Sequence, residues 1–415
     1  VTFHVFTFHV PTSSRFTTAA AFTMTIPVPR LYDASMQTRT DVIVVGAGPI
    51  GLELAVALKR GGVDYLHFDA AQIGQTIYRF PPQTRFFSSN ERIAVAGVPL
   101  QTFDQNKSTR EQYLAYLRAI VEQFDLQVNT YEPVVGIDQR DGGFAVTTQS
   151  GGTPRSYWCK KLVLVTGGTD HPRRLNIPGE DLPHVSHYFT DPHIYFRKRL
   201  LIVGGKNSAV ETALRCYNAG ANVSISYRKA ALPEKSIKYW LMPEIRYLIE
   251  SGKIAAHFRT VPSRITSSSV TLVGCDEQGT HEQGRHEGTE ARRHEGEGET
   301  DVGFKGRRSE GESACDVKQL PFDFVLLLTG YIQDNALLRL AGIDLRGECQ
   351  APVFDERTMQ TNVPNVYIAG TAVGGTQEKY TVFIENCHVH VDRIMAALTG
   401  TAAPAPPAPI AQPES

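Results

Sequence analysis

The sequence predicts an α/β fold with two largely parallel sheets, and three observations predict it. Short Val/Ile/Leu runs alternate with amphipathic stretches along most of the chain. Two of those runs enter glycine-rich turns, at Gly46 and Gly204, and a helical pattern leaves each turn. Two later runs end in Thr-Gly, at Thr166-Gly167 and Thr329-Gly330, where the chain is expected to cross between sheets. Strands buried on both faces read as continuous apolar runs, and their alternation with helices is the pattern of parallel sheets covered by helices.

Taken in order, strands are expected at 41–45, 65–68, 162–165, 200–203, 223–227, 324–328 and 366–368. Helices are expected at 52–60, 109–123, 209–219 and 385–398. Thr109 followed by Gln112 reads as a capping box opening the second of these helices.

Three segments break the pattern. The first 38 residues are rich in Thr, Phe and Ala and hold no acid before Asp33; they are expected to be a disordered or misassigned N-terminal extension, with Met24 or Met36 as a later start, rather than a targeting sequence. Residues 277–316 are a low-complexity insertion of Gly, Glu, His and Arg, too polar to offset its own ordering entropy. Its histidines, His281, His286 and His294, lack a scaffold to hold a metal, and no metal site is expected. Residues 401–415 are expected to be a disordered Pro/Ala tail.

A chain of 415 residues suits two or three domains. With 42 Lys and Arg against 43 Asp and Glu, overall charge gives no reason to expect nucleic acid. No apolar run reaches the roughly 20 residues of a membrane helix. The six cysteines contain no Cys-x-x-Cys and read as reduced thiols, which suits the cytoplasm.

In Asp41-Val-Ile-Val-Val-Gly-Ala-Gly-Pro-Ile-Gly51, a strand runs into Gly-x-Gly-x-x-Gly. Gly46 permits the tight turn, Gly48 lets the backbone approach a pyrophosphate, and Gly51 lets the following helix, led by Pro49 and Ile50, pack against the strand. The helix N-terminus offers N–H groups and partial positive charge to phosphates. Asp69 closes the next strand about 20 residues on, where an acid binds the hydroxyls of an adenosine ribose.

Leu200-Leu-Ile-Val-Gly-Gly-Lys-Asn-Ser-Ala209 repeats the plan through Gly204, Gly205, Lys206, Asn207 and Ser208. Lys206 stands where the pattern has its second glycine and is expected to reach a phosphate; Ala209 takes the place of the third. The next strand ends in Arg228-Lys229 rather than an acid, which exchanges ribose-hydroxyl recognition for a cationic site and favours NADPH over NADH. Two such turns imply two Rossmann-like dinucleotide-binding domains. The first turn is the one expected to take FAD, with Ser88, Thr166, Gly167 and Gly370 completing its site. The NADPH domain, 172–276, is then inserted into a split FAD domain, 39–171 and 317–400.

Several stretches carry a resemblance: Gln75-Thr-Ile-Tyr-Arg-Phe-Pro81 through Phe86-Phe-Ser-Ser-Asn-Glu91, Gly204-Gly-Lys-Asn-Ser-Ala209, Ser236-Ile-Lys-Tyr-Trp-Leu-Met-Pro243, Thr358-Met-Gln-Thr-Asn-Val363 and Phe383-Ile-Glu-Asn386. On these the chain resembles the bacillithiol disulfide reductase family, within the thioredoxin reductase-like flavoproteins. The resemblance implies an NADPH-dependent FAD flavoprotein reducing a small disulfide such as bacillithiol disulfide, assembled as a homo-oligomer. It also implies a cysteine just after the proline of the first turn, where this chain has Ile50. The thioredoxin reductases' Cys-x-x-Cys is missing too, since 184–192 hold no cysteine. No catalytic residue is assigned, and the electron acceptor is left open. Cys387 is expected about two turns into the last helix, buried and structural. Two alternatives stand beside this reading. A flavin-dependent monooxygenase is one, from a partial likeness of 177–188 to the linker of those enzymes; a non-catalytic NADPH- or redox-binding protein is the other.

Overall fold

The structure is a computed structural model that describes residues 38–275, 317–377 and 381–402. The expectations for nearly all of the N-terminal extension, for the whole of the 277–316 insertion and for most of the tail fall outside the described residues.

The first sheet is built from β1 (Thr38–Val45), β2 (Tyr65–Phe68), β3 (Val128–Asn129), β4 (Val134–Arg140), β5 (Gly143–Ser150) and β6 (Thr153–Leu164). After a short β7 (His171–Pro172) comes the second set: β8 (Val185–Ser186), β9 (Arg199–Val203), β10 (Asn222–Tyr227) and β11 (Ala255–Phe258). Then follow β12 (Thr260–Ile265), β13 (Ser269–Gly274), β14 (Lys318–Pro321), β15 (Phe324–Leu327), β16 (Tyr331–Ile332), β17 (Leu345–Arg346), β18 (Ala351–Pro352) and β19 (Val366–Ile368). The helices are α1 (Pro49–Arg60), α2 (Gln75–Tyr78), α3 (Asn90–Ile93), α4 (Arg110–Gln123), α5 (Asn207–Asn218), α6 (Met242–Glu250), α7 (Ala336–Leu340) and α8 (His388–Thr399).

Strand order in the first sheet is β3-β2-β1-β6-β5-β4, with β19 also paired to β6. The long β6 explains this branching. Its first half pairs antiparallel with β5, and its last residues, Leu162–Leu164, pair parallel with β19 on the same edge. The other edge of β6 pairs parallel with β1. Strand β1 is central, so Val42, Ile43, Val44 and Val45 are all buried and the run has no polar alternation. The second sheet, in order β11-β10-β9-β15-β8, is parallel throughout. Strands β7 and β16, which carry the chain from one sheet to the other and back, pair antiparallel side by side.

Helix α1 starts at Pro49, whose missing N–H costs nothing at a first helical position. It buries Ile50, Leu52, Leu54 and Leu58, each contributing on the order of 1.5–3 kcal/mol. Thr109 and Gln112 form the expected capping box before α4, a contribution of about 1 kcal/mol.

Two expectations need correction. The return to the first sheet comes later than residue 317. Strand β14 pairs with β13 and β15 lies between β9 and β8, so both belong with the second set and the crossing falls at β16. The apolar run 324–328 fits either sheet, and its register with β9 decides. The last helix is also broken. Residues Ile384–Asn386 form a 3-10 turn, and α8 starts only at His388. The break is held by Asn386, whose Oδ1 accepts from Phe383 N–H at 2.8 Å and whose Nδ2 donates to Thr381 O at 2.7 Å. Cys387 therefore sits at the helix N-cap, not two turns in.

Candidate cofactor sites and the missing thiol

The carboxyl ends of β1, β6 and β19 converge. A side chain on Gly46 would meet Val165 O at 2.3 Å, and one on Gly370 would meet Val165 Cγ1 at 3.3 Å and Ile50 Cβ at 3.6 Å. A Cβ on Gly51 would lie 2.0 Å from Gly46 O. These glycines are demanded by protein atoms. Gly48 differs: nothing lies within 4 Å of the Cβ it lacks, and its backbone is ordinary extended chain (φ −74°, ψ −177°). Space held open at that one position suits the close approach of a pyrophosphate.

The end of α1 fits an anion as well. No side chain caps it, and its first turn carries no acid. Helix α4, by contrast, has the Gln112 N–H of its first turn satisfied by the Thr109 side chain. Thr166, just past the end of β6, has its Oγ1 buried with no hydrogen-bond partner. Gly167 has φ +87° and follows it directly. Asp69 lies at the end of β2 with Oδ2 accepting from Ala47 N–H at 2.6 Å and Oδ1 from Ala71 N–H at 2.8 Å. Each carboxylate oxygen keeps a further lone pair for a ribose hydroxyl. Ser88 is half-buried in the bend before α3. These residues fit FAD.

The second turn gathers at the ends of β9, β10 and β15. A Cβ on Gly204 (φ +143°) would meet Leu328 O at 2.5 Å, and one on Gly205 would meet the Tyr227 ring at 2.5 Å. Lys206 is the N-cap of α5 with φ −106° and ψ −170°, the same extended conformation Gly48 adopts before α1. Any residue adopts that backbone, which is why lysine is tolerated where the pattern has glycine. Asn207 and Ser208 open α5, which again has no side-chain cap and no acid in its first turn. Arg228 and Lys229 follow β10 directly and are exposed. These residues fit NADPH.

Two histidines that the sequence reading missed support the first site from beneath. His67 Nε2 lies 2.9 Å from Gly46 O; a carbonyl only accepts, so Nε2 carries the proton. Burial holds His67 below the usual histidine range, against the opposing pull of that hydrogen bond and of Asp69. His390 Nδ1 accepts from Gly370 N–H at 3.2 Å, and burial, aided by Arg393 and His388, lowers its pKa to about 4. Both are therefore neutral near pH 7. His67 and Phe68 are both buried at the end of β2, so no alternation marks His67, and nothing in the sequence places His390 against Gly370.

No described cysteine lies in the first turn itself; Cys349, partly exposed, has its backbone against Gly375 and Thr376. Ile50, second residue of α1, is buried against Val165 and Gly370. Burial pushes Cys159 and Cys216 up to about 12, and raises Cys387 further despite its place at a helix N-cap. Cys275 Sγ donates to Arg228 O at 3.0 Å, at the second site rather than the first. Among the described residues no group of three His, Cys, Asp or Glu side chains is placed to hold a metal ion, and no helix is long and apolar enough to cross a membrane.

A mixed sheet and a parallel sheet, each ending in a glycine turn, one fitted to FAD and one to NADPH, define a thioredoxin reductase-like flavoprotein oxidoreductase. Residues 43–287 match the family described as pyridine nucleotide-disulphide oxidoreductase. Bacilliredoxin reductase Bdr of Bacillus subtilis (strain 168) is 32% identical over 356 residues, covering 86% of this chain and 96% of that protein. The structure of the bacillithiol disulfide reductase Bdr (YpdA) from Bacillus cereus superposes with a TM-score of 0.74 at 31% identity, covering 88% of this chain and 99% of the other. A flavin-containing monooxygenase from Stenotrophomonas maltophilia, at a TM-score of 0.61 and 17% identity over 88% of this chain and 99% of its own, shares the fold alone. The chain belongs to the pyridine nucleotide-disulphide oxidoreductases and, within them, to the bacillithiol disulfide reductase family. Its cofactors are FAD and NADPH.

Proposed function

We propose that this chain takes electrons from NADPH and passes them, through FAD, to a low-molecular-weight disulfide, with bacillithiol disulfide the first candidate by likeness to the Bdr relatives. The observation that carries the reading is the pair of uncapped helix N-termini, α1 and α5, each entered through a glycine turn at the carboxyl end of a parallel strand, β1 and β9. FAD supplies the two-electron redox centre and NADPH the hydride. The chain supplies position and charge. Gly46, Gly48, Pro49, Ile50 and Gly51 shape the first phosphate turn, Asp69 holds the ribose, and Ser88, Thr166, Gly167 and Gly370 line the flavin. Gly204, Gly205, Lys206, Asn207 and Ser208 shape the second turn, and Arg228 and Lys229 take the 2′-phosphate.

With Ile50 in the thiol's place, the chain stores no electrons in a protein disulfide at the first turn. The acceptor has to reach the flavin itself. A homo-oligomer working in the cytoplasm suits the resemblance. The test is an anaerobic NADPH titration of the purified flavoprotein, followed by bacillithiol disulfide, other small disulfides, oxidised thioredoxin, ferredoxin and oxygen as acceptors. NADPH is expected to bleach the flavin, and a small disulfide to restore its colour fastest. Arg228→Ala is expected to lower the preference for NADPH over NADH by about tenfold, one lost charged hydrogen bond of about 1.5 kcal/mol. An unchanged preference would remove Arg228 from the site.

A further inference from the structure

Lys238 is nearly buried, 8% exposed, and lies in the stretch between β10 and α6. A buried lysine carries a large desolvation cost unless each donor finds a partner. Here the donors of Lys238 go to one of two places. Its backbone N–H donates to Asn207 Oδ1 at 2.6 Å, the first residue of α5. Its Nζ donates to Glu211 Oε2 at 2.8 Å, one turn further along the same helix. The same Nζ donates to Arg85 O at 3.1 Å, and Arg85 lies in the connection between α2 and α3 that leads to Ser88. The neighbouring side chains repeat the link. Trp240 stacks on Phe87 with ring centroids 6.1 Å apart and an interplanar angle of 18°. Lys107 Nζ sits 5.1 Å from each of those two ring centroids and donates to Phe87 O at 2.6 Å. Lys238 Nζ lies 5.8 Å from the Trp240 ring.

We infer that Lys238 is a positioning residue that clamps the start of α5, and with it the second nucleotide turn, to the 85–87 segment on the flavin side. The inference rests on the proposed placement of NADPH at the α5 turn. One ammonium joins Glu211, on the helix whose N-terminus faces one nucleotide, to a backbone carbonyl three residues before Ser88. Removing it loosens the separation of the two sites without removing any group that touches either nucleotide. Misplacement of about 1 Å between reacting centres costs up to about a hundredfold in rate.

The test compares the full-length FAD-loaded protein with Lys238→Met, which keeps the side-chain length, and with Lys238→Arg. Hydrogen exchange of the peptides covering 83–90 and 234–242, followed by mass spectrometry, reads the clamp without any turnover. Lys238→Met is expected to accelerate exchange in both peptides together and to leave β9 and β15 unchanged. In stopped flow it is expected to slow flavin bleaching at saturating NADPH by about 10- to 100-fold, with the NADPH dissociation constant within about twofold, and Lys238→Arg is expected to recover most of the rate. Parent-like exchange and bleaching in Lys238→Met would overturn the clamp, and so would weakened NADPH binding at an unchanged bleaching rate. Should Lys238→Met not fold, Glu211→Gln and Trp240→Leu carry the same two readouts, with acceleration of both peptides supporting the clamp and parent-like exchange overturning it. If NADPH fails to bleach even the parent, the functional reading fails on its own, and the exchange result still decides the clamp.

Discussion

Substituting Gly48 and Gly51 separately sorts the glycines of the first turn into those the fold needs and those a ligand needs. Gly48→Ala adds a methyl where no protein atom lies within 4 Å, on a backbone at φ −74° and ψ −177° that alanine adopts freely. The ligand-free protein is therefore expected to be as stable as the parent, or more stable by about 0.4–1 kcal/mol through a less flexible unfolded chain. The same methyl stands in the space reserved for the pyrophosphate. Overpacking of a close contact costs about 1–3 kcal/mol, which is roughly a 5- to 140-fold loss of FAD affinity. Gly51→Ala is the converse. Its Cβ falls 2.0 Å from Gly46 O, a backbone atom that moves only with the whole turn. The expected loss is about 3 kcal/mol or more in the ligand-free protein. Thermal unfolding of both apoproteins, with FAD titration followed by quenching of its fluorescence, separates the two effects. Parent-like FAD affinity in Gly48→Ala would mean that no pyrophosphate lies against that residue. Destabilisation of its apoprotein to the level of Gly51→Ala would mean that the fold itself fills the space.

Two further outcomes follow from burial. His390 has its pKa lowered to about 4 in the native state, so between roughly pH 4 and 6.5 the unfolded chain takes up a proton that the folded one refuses. Native stability is expected to rise with pH across that window by about 3 kcal/mol, and denaturant melts of His390→Gln are expected to lack that part of the slope; an unchanged slope would show that another group titrates. His390→Leu additionally leaves the buried Gly370 N–H unpaired and is expected to cost about 1–3 kcal/mol at pH 7. For the thiols, brief maleimide treatment of the native protein at pH 8 followed by peptide mapping is expected to modify Cys275 and Cys349, both half-exposed, and to spare Cys159, Cys216 and Cys387. Labelling of Cys387 in the folded protein would show that its burial is not maintained.

What could be read from the sequence was what local backbone geometry enforces. The glycine turns were legible because Gly46 and Gly204 take φ of +110° and +143°, conformations that side chains rarely permit, directly after an apolar run. The capping box at Thr109 was legible for the same reason, since both partners lie within one turn. Long-range pairings were not. Strand β15 read as part of the first unit because its Thr-Gly ending matches that of β6, and only its pairing with β9, far away in sequence, places it in the second sheet. The start of α8 was misplaced because the helical spacing of apolar residues continues through the 3-10 turn that Asn386 closes. The contacts of Lys238 carried no local signal: it lies in a stretch that carries the resemblance, yet a lysine between two apolar residues looks the same whether it is solvated or bonded to Arg85 O, far away in sequence.

Ile50 is where sequence and structure together constrain the chemistry most. A residue in the first turn of α1 sits in the partial positive charge of an uncapped helix end, the environment that turns a cysteine into a thiolate. Isoleucine cannot use that field, and its side chain instead closes the gap between Val165 and Gly370. The only other cysteine near a helix N-terminus, Cys387 at the α8 N-cap among the described residues, is fully buried, with Glu53 close enough to oppose ionisation further. Burial overrides the helix field there, and the thiol stays protonated and out of reach. The first site thus keeps the backbone that would activate a nucleophile while lacking the nucleophile. At this turn, therefore, nothing in the chain can form a mixed disulfide with an acceptor, and the helix field is left to act on a bound phosphate alone.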